Sequence, residues 1–288
     1  MSAEEQLRRF NAEAAARQRD LPRIQRDTLA EIVRQLQAAQ RQITELLKAN
    51  PSEAGQRRLR QLQREIERVL DDYATAVTQA SVDGANTGWT AGITSIEAPF
   101  EAAGVSIAGA RINAQALMAT RSFMTDRIGD LSRRALNRIN GVLIQNVIGS
   151  TPLSEAITQV QKIMGGVPRS RAMTVAYTEI GRVHSIAQDE ALQNAGHIVP
   201  NLHKRWLKSG KLHPRAAHVA AHNQIRRYDE PYLVDGEHLR FPRDPNGSAG
   251  NTINCGCLSA PVVDGSSFGA STIRIGPQGG VHKVRLPT

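Results

Sequence analysis

Long apolar runs are missing from this chain of 288 residues, and none approaches the ~18 uninterrupted apolar residues that a membrane-spanning helix requires. The chain begins Met1-Ser2-Ala3-Glu4-Glu5, with charge straight away, so no signal peptide is expected and the protein is read as made and kept in a cytoplasm. Aromatic residues are scarce at 4%, so burial has to come from Leu, Ile, Val and Ala, which favours helix packed on helix. Cysteine is scarcer still. The two present both lie in Asn254-Cys255-Gly256-Cys257, which excludes a disulfide framework and points to metal or to reduced thiols.

Equally missing are the usual signatures of catalysis. There is no glycine-rich phosphate loop, zinc-peptidase helix motif, nucleophile elbow or deaminase pattern, so the chain is expected not to be an enzyme. What is abundant is positive charge. The formal net charge is +9, and Arg outnumbers Lys about five to one. A polyanion is the natural partner, since Arg makes bidentate phosphate contacts, and non-specific DNA is the partner expected.

Apolar residues recur at helical spacing through Leu29, Ile32, Val33, Leu36, Ile43, Leu46 and Leu47. Asn50-Pro51-Ser52-Glu53 resets the chain as a capping sequence, and a second stripe follows at Leu59, Leu62, Ile66, Val69, Leu70 and Tyr73. The short connection predicts an antiparallel helical hairpin. Residues 81 to 110, rich in small side chains with Trp89 as the one large anchor, read as helical with breaks. A third long helix carries Met124, Ile128, Leu131, Ala135, Ile139 and Val142, a fourth opens at Thr151-Pro152, and after Gly165-Gly166-Val167-Pro168 a fifth runs through Val175, Ile180, Val183 and Ile186 to a stop at Asn194-Ala195-Gly196.

Beyond Gly196 the texture changes to short extended runs and turns. Leu233-Val234, Asp235-Gly236 and His238 to Phe241 read as a hairpin, and Ile253 to Val263 as a further strand. From Asp264 onward Gly, Ser and Pro dominate, and Arg274, Lys283 and Arg285 leave a basic tail. The fold class expected is α+β, mostly α. It comprises a helical hairpin and linker region (1–110), a helical middle region (111–196), a small mixed α+β module (197–263) and a flexible, irregular basic tail (264–288).

His218, Cys255 and Cys257 form the candidate metal set, with His222 a weaker fourth member four residues after His218 on the same helical face. Zinc is the ion such donors favour. The other reading, buried thiols beside hydrogen-bonded histidines that pin a loop, stays open. Glu179 reads as a helix-surface carboxylate paired with Arg182, and His184, His197, His203 and His213 as surface residues. Arg133, Arg134 and Arg138 on the third helix, with Arg226 and Arg227 in the module, are the candidates for DNA contact.

Thr178-Glu179, Arg205-Trp206, Arg215 to His218, Gln224-Ile225, Pro242-Arg243-Asp244-Pro245 and Asn254-Cys255-Gly256-Cys257 occur in an order that resembles the Mu F-like phage head morphogenesis family. Tyr177 stands where that family usually has Arg, Lys211 and His213 where it has Asp and Arg, and His222-Asn223 where it has Asp-Gly. The last departure sets His222 apart from the other three ligands. The resemblance implies a minor capsid component near the portal, touching portal or major capsid protein and packaged DNA, made in the host cytoplasm and carried in the virion. A metal-dependent enzyme, a nuclease or toxin-like effector using the Cys/His site, is the alternative.

Overall fold

The computed structural model describes residues 1–49, 56–107, 114–147, 150–268, 272–275 and 281–284. Six helices come first: α1 (Ala3–Arg17), α2 (Asp20–Lys48), α3 (Gln56–Ala102), α4 (Gln115–Val147), α5 (Leu153–Gly165) and α6 (Val167–Gly196). Short elements follow: β1 (His203–Leu207), α7 (Ala216–Ala220), β2 (Ile225–Arg227), β3 (Tyr232–Val234), β4 (Glu237–Leu239), α8 (Ala249–Thr252) and β5 (Leu258–Val262). The mostly helical α+β class expected from the sequence is the class observed. Among the described residues no helix is long and apolar enough to cross a membrane.

The chain forms two compact units. One comprises Met1–Gln25, Ala85–Met118 and Thr178–Thr288, and the other Arg26–Gly84 and Ala119–Tyr177. The segments expected at 1–110, 111–196, 197–263 and 264–288 are drawn along the chain, whereas these units are assembled from separated stretches of it.

In the all-helical unit the two stripes read from sequence become one core. Leu36, Ala39, Ile43 and Leu47 of α2 meet Leu62, Ile66 and Leu70 of α3, with Ala135, Ile139 and Leu143 of α4 and Val160, Ile163 and Met164 of α5. Spacings of three and four put each set on one helix face, and burying a Leu or Ile side chain contributes about 1.5–3 kcal/mol. The capping sequence Asn50-Pro51-Ser52-Glu53 lies outside the described residues.

The second unit opens with α1, which carries no long apolar stripe to mark it in the sequence. Ser2 caps it by accepting a hydrogen bond from the Glu5 amide at 3.2 Å, and Phe10 and Ala14 are buried with Ile96, Phe100, Ala191, Leu192 and Ala195. Residues 81 to 102 are one uninterrupted helical stretch rather than a broken one. Their small side chains serve packing. A Cβ on Gly92 would sit 2.3 Å from the His184 carbonyl oxygen, and one on Gly88 3.2 Å from Ile180. Two glycines four residues apart thus form a groove in which the α6 backbone lies.

Three strands make an antiparallel sheet in the order β2-β1-β5, with Lys204 opposite Arg226 and Pro261, and Arg205 opposite Ile225 and Ala260. The β3-β4 hairpin turns through Asp235 and Gly236, both at positive φ, as the Asp-Gly pair predicts. The strand expected from Ile253 is shorter, because Ile253 to Gly256 form a loop and pairing starts at Leu258. Part of the expected tail lies among the described residues. A 3-10 turn spans Gly265–Phe268, β6 (Thr272–Ile275) pairs antiparallel with β7 (Val281–Val284), and the Phe268 ring lies 5.9 Å from that of Phe10. Arg285 lies outside the described residues.

Gly92→Ala should lower stability by about 1–3 kcal/mol, because the added methyl overpacks against the α6 backbone. Gly141→Ala has open space at its Cβ and should be neutral, or stabilising by up to about 1 kcal/mol. Thermal denaturation of the two variants checks this, and equal midpoints would refute the close approach.

Candidate metal centre

The C-terminal module buries a small cluster of Trp206, Tyr232, Val234, Leu239, Cys255 and Cys257. Strand alternation in β1 turns Lys204 and Trp206 inward. The Trp206 ring stands edge-on to Tyr232 at 5.2 Å and to His218 at 5.7 Å, and the Tyr232 hydroxyl is 2.7 Å from Ser259 Oγ. Around this aromatic corner the structure gathers the sulfur and nitrogen donors.

His218 on α7, Cys255 and Cys257 are all buried, and their ligand atoms lie within 4.8 Å of one another. His218 Nδ1 is 3.2 Å from Cys257 Sγ and 3.6 Å from Cys255 Sγ, while its Nε2 faces Asn251 Oδ1 at 3.2 Å. The Cys257 amide donates to Cys255 Sγ at 3.4 Å. Both thiols are free. Such a group can hold a metal ion. His222 is not part of it, since it is exposed and its Nδ1 accepts from the Lys208 amide at 3.3 Å.

The electrostatics of the two sulfurs diverge. The hydrogen bond from Cys257, with further help from His218 and the Arg243 guanidinium, holds the Cys255 thiol down at about 4 against the cost of burial. Cys257, as the donor of that bond and as a buried neighbour of the Cys255 charge, is held well above the ordinary thiol range. The two surroundings thus favour the thiolate at Cys255 over Cys257.

Arg243, one of the residues that carry the resemblance, has a role that its place in the sequence does not disclose. It is fully buried at a positive φ of 68°, donates through Nη1 to the Cys255 carbonyl at 2.8 Å and through Nη2 to Ser185 Oγ at 2.8 Å, and among the described residues makes no ion pair. Its guanidinium packs against Gly181, where a Cβ would come within 2.8 Å of Nε. Lys211 and Arg215 hold the same loop from outside, donating to the carbonyls of Asn254 at 2.5 Å and Ile253 at 2.6 Å. Asn254, at positive φ, donates its amide to Thr178 Oγ1 at 3.0 Å.

Two surface assignments from the sequence are overturned. Glu179 does pair with Arg182, at 3.3 Å, but it is buried, and burial raises its carboxyl above the usual range. His184 is buried as well. Burial, then the nearby Arg243 charge, push it down to about 3. The arginines proposed for DNA contact fall in different units. Arg133 and Arg134 are exposed beside Asp130, Arg138 is exposed on the same helix, and Arg227 is paired with Asp229 next to a half-buried Arg226. Asn251 and Asp189 escape a reading of the sequence, because a lone Asn or a helix Asp carries no signal until its partners are known.

The site thus defines a small mixed α/β module closed around a buried pair of thiols and one imidazole. The family model described as Phage Mu protein F like protein matches residues 137–260, a range containing His218, Asn251, Cys255 and Cys257, so this segment is similar to that family. An uncharacterized protein YqbB of Bacillus subtilis is 32% identical over 133 residues, covering 45% of this chain and 43% of that protein. An NAD(+)--arginine ADP-ribosyltransferase EFV of Enterococcus faecalis is 31% identical over 97 residues, 34% of this chain and 20% of that protein. The chain therefore spans less than half the length of either relative. No solved structure matches it.

A histidine held neutral by burial costs stability when it must be protonated. The unfolded His184 binds a proton below about pH 6.5 and the folded one does not until about pH 3, so stability present above pH 6.5 is lost as the pH falls through that window, at up to about 1.4 kcal/mol per pH unit. His184→Gln should flatten the decline in denaturation midpoint between pH 6 and pH 4. Equal slopes in both proteins would mean that the buried imidazole is already charged.

Proposed function

We propose that the chain is a minor structural protein of a tailed-phage head, docking on portal or major capsid protein in the head interior and contacting packaged DNA without sequence preference. The observation that carries this reading is the family match over residues 137–260, which embraces nearly the whole C-terminal module together with the helix that it packs on. The helical faces and the excess of arginine suit a compartment filled with polyanion. The protein works by binding rather than by catalysis, is assembled in the host cytoplasm and ends in the mature particle.

The alternative is a metal-dependent enzyme, a nuclease or toxin-like effector using the Cys/His site, and its effector form draws on the named activity of the Enterococcus faecalis relative, of which this chain spans one fifth. A mass-spectrometric inventory of purified particles decides between the two. A fixed ratio of a few copies per portal is the outcome expected, and absence from the particle would overturn the structural reading.

DNA binding has its own test. With about five phosphates neutralised, log K should fall against log salt with a slope of roughly −4 to −5, and changing Arg133, Arg134 and Arg138 to Gln should make that slope shallower by about 0.9 for each arginine that pairs with a phosphate. A flat salt response, or a strong preference for one sequence, would contradict it.

A further inference from the structure

We propose that His218 Nδ1, Cys255 Sγ and Cys257 Sγ bind one zinc ion, and that Asn251 is the positioning residue that turns the imidazole toward it. The first support is metric. Zinc bonds of about 2.3 Å to sulfur and 2.0–2.1 Å to nitrogen, set tetrahedrally, place a nitrogen and a sulfur ligand about 3.6 Å apart. The two observed separations, 3.2 and 3.6 Å, are edges of such a tetrahedron to within a few tenths of an ångström. The sulfurs come from a Cys-x-Cys loop and the nitrogen from α7, so the ion would join two stretches that no regular secondary structure connects.

The second support is the proton on the imidazole. The Asn251 side-chain oxygen faces His218 Nε2 at 3.2 Å. That oxygen can only accept, so Nε2 carries the ring proton and Nδ1 presents a lone pair to the sulfurs. An outer acceptor that fixes the tautomer of a ligating histidine is the arrangement metal sites employ.

The donor set selects the ion. Two thiolates and an imidazole form a soft, tetrahedral site that suits zinc and disfavours magnesium or calcium. As the metal–sulfur bonds form, any thiol proton leaves to solvent. Among the described residues no fourth His, Cys, Asp or Glu joins the group, which leaves the fourth position to a water molecule. The hydrogen bonds from Lys211 and Arg215 to the carbonyls of Asn254 and Ile253 brace the loop that bears the cysteines.

The full-length protein, stripped with chelator and titrated with Co²⁺, tests this directly. One equivalent should develop a near-ultraviolet thiolate-to-cobalt band with visible bands of tetrahedral intensity, and Zn²⁺ should displace both. Cys255→Ser and Cys257→Ser should abolish the charge-transfer band or reduce it by half. Asn251→Leu should weaken metal affinity by about 10–100-fold, while Asn251→Asp, which keeps the acceptor, should retain most of it. A stripped wild-type protein with unchanged circular dichroism and no cobalt spectrum would overturn the site. Wild-type affinity in Asn251→Leu would overturn the positioning assignment.

Discussion

A buried polar stripe on α6 is the constraint on which the C-terminal module depends. Thr178, Ser185, Asp189 and Gln193 recur at spacings of seven, four and four, so they lie along one face of the helix. Each is answered from the module. Thr178 accepts from the Asn254 amide, Ser185 from Arg243, Asp189 pairs with Lys204 at 3.6 Å and with Arg240, and Gln193 donates to the Tyr228 carbonyl. An unanswered buried polar group costs about 1–3 kcal/mol, so the module is seated where every member of the stripe finds its partner. An apolar face would have tolerated sliding.

The ionic part of that stripe has opposing effects. Burial raises the Asp189 carboxyl, against the pull of Lys204 and Arg240, and burial lowers the Lys204 ammonium, against the pull of Asp189. Each group is tolerable only because the other is present, and the Lys204 ammonium further donates to the Arg240 carbonyl at 2.8 Å. Such networks add little net stability over an apolar equivalent, but removing one partner is expensive. Their effect here is to fix the register of β1 and the loop after β4 against α6. Arg243 does the same for the Cys-x-Cys loop. Its positive φ and the glycine at position 181 are both consequences of threading a guanidinium between a helix and that loop.

The difference between legible and illegible parts of this fold follows from the same physics. The apolar stripes of α2, α3 and α4 announce themselves by periodicity, as does the Asp-Gly hairpin by its turn chemistry. By contrast α6 hides its docking face, because that face is polar, and apolar periodicity cannot reveal a surface built from Thr, Ser, Asp and Gln. Residues 81 to 102 look broken because Gly88 and Gly92 are poor helix formers. Their use, a groove for the α6 backbone, exists only in the tertiary structure. At the site, residue chemistry names the two thiols and His218, and helical spacing wrongly offers His222, since α7 ends at Ala220 and the helical face does not extend that far. Asn251 cannot be read at all, because its role follows from facing the imidazole.

These partners also decide where the module begins. The change of texture after Gly196 suggests a boundary there, yet a cut at that point would part the polar stripe of α6 from all the groups that answer it. The buried Lys204 and Arg243 would then lose their partners on α6, Asp189 and Ser185, or the module would open to hydrate them. The family match starts at residue 137, well before that change of texture, and contains the whole of α6. The helix is therefore as much a part of the module as the strands, and the visible shift in composition marks a change of secondary structure inside one cooperative unit.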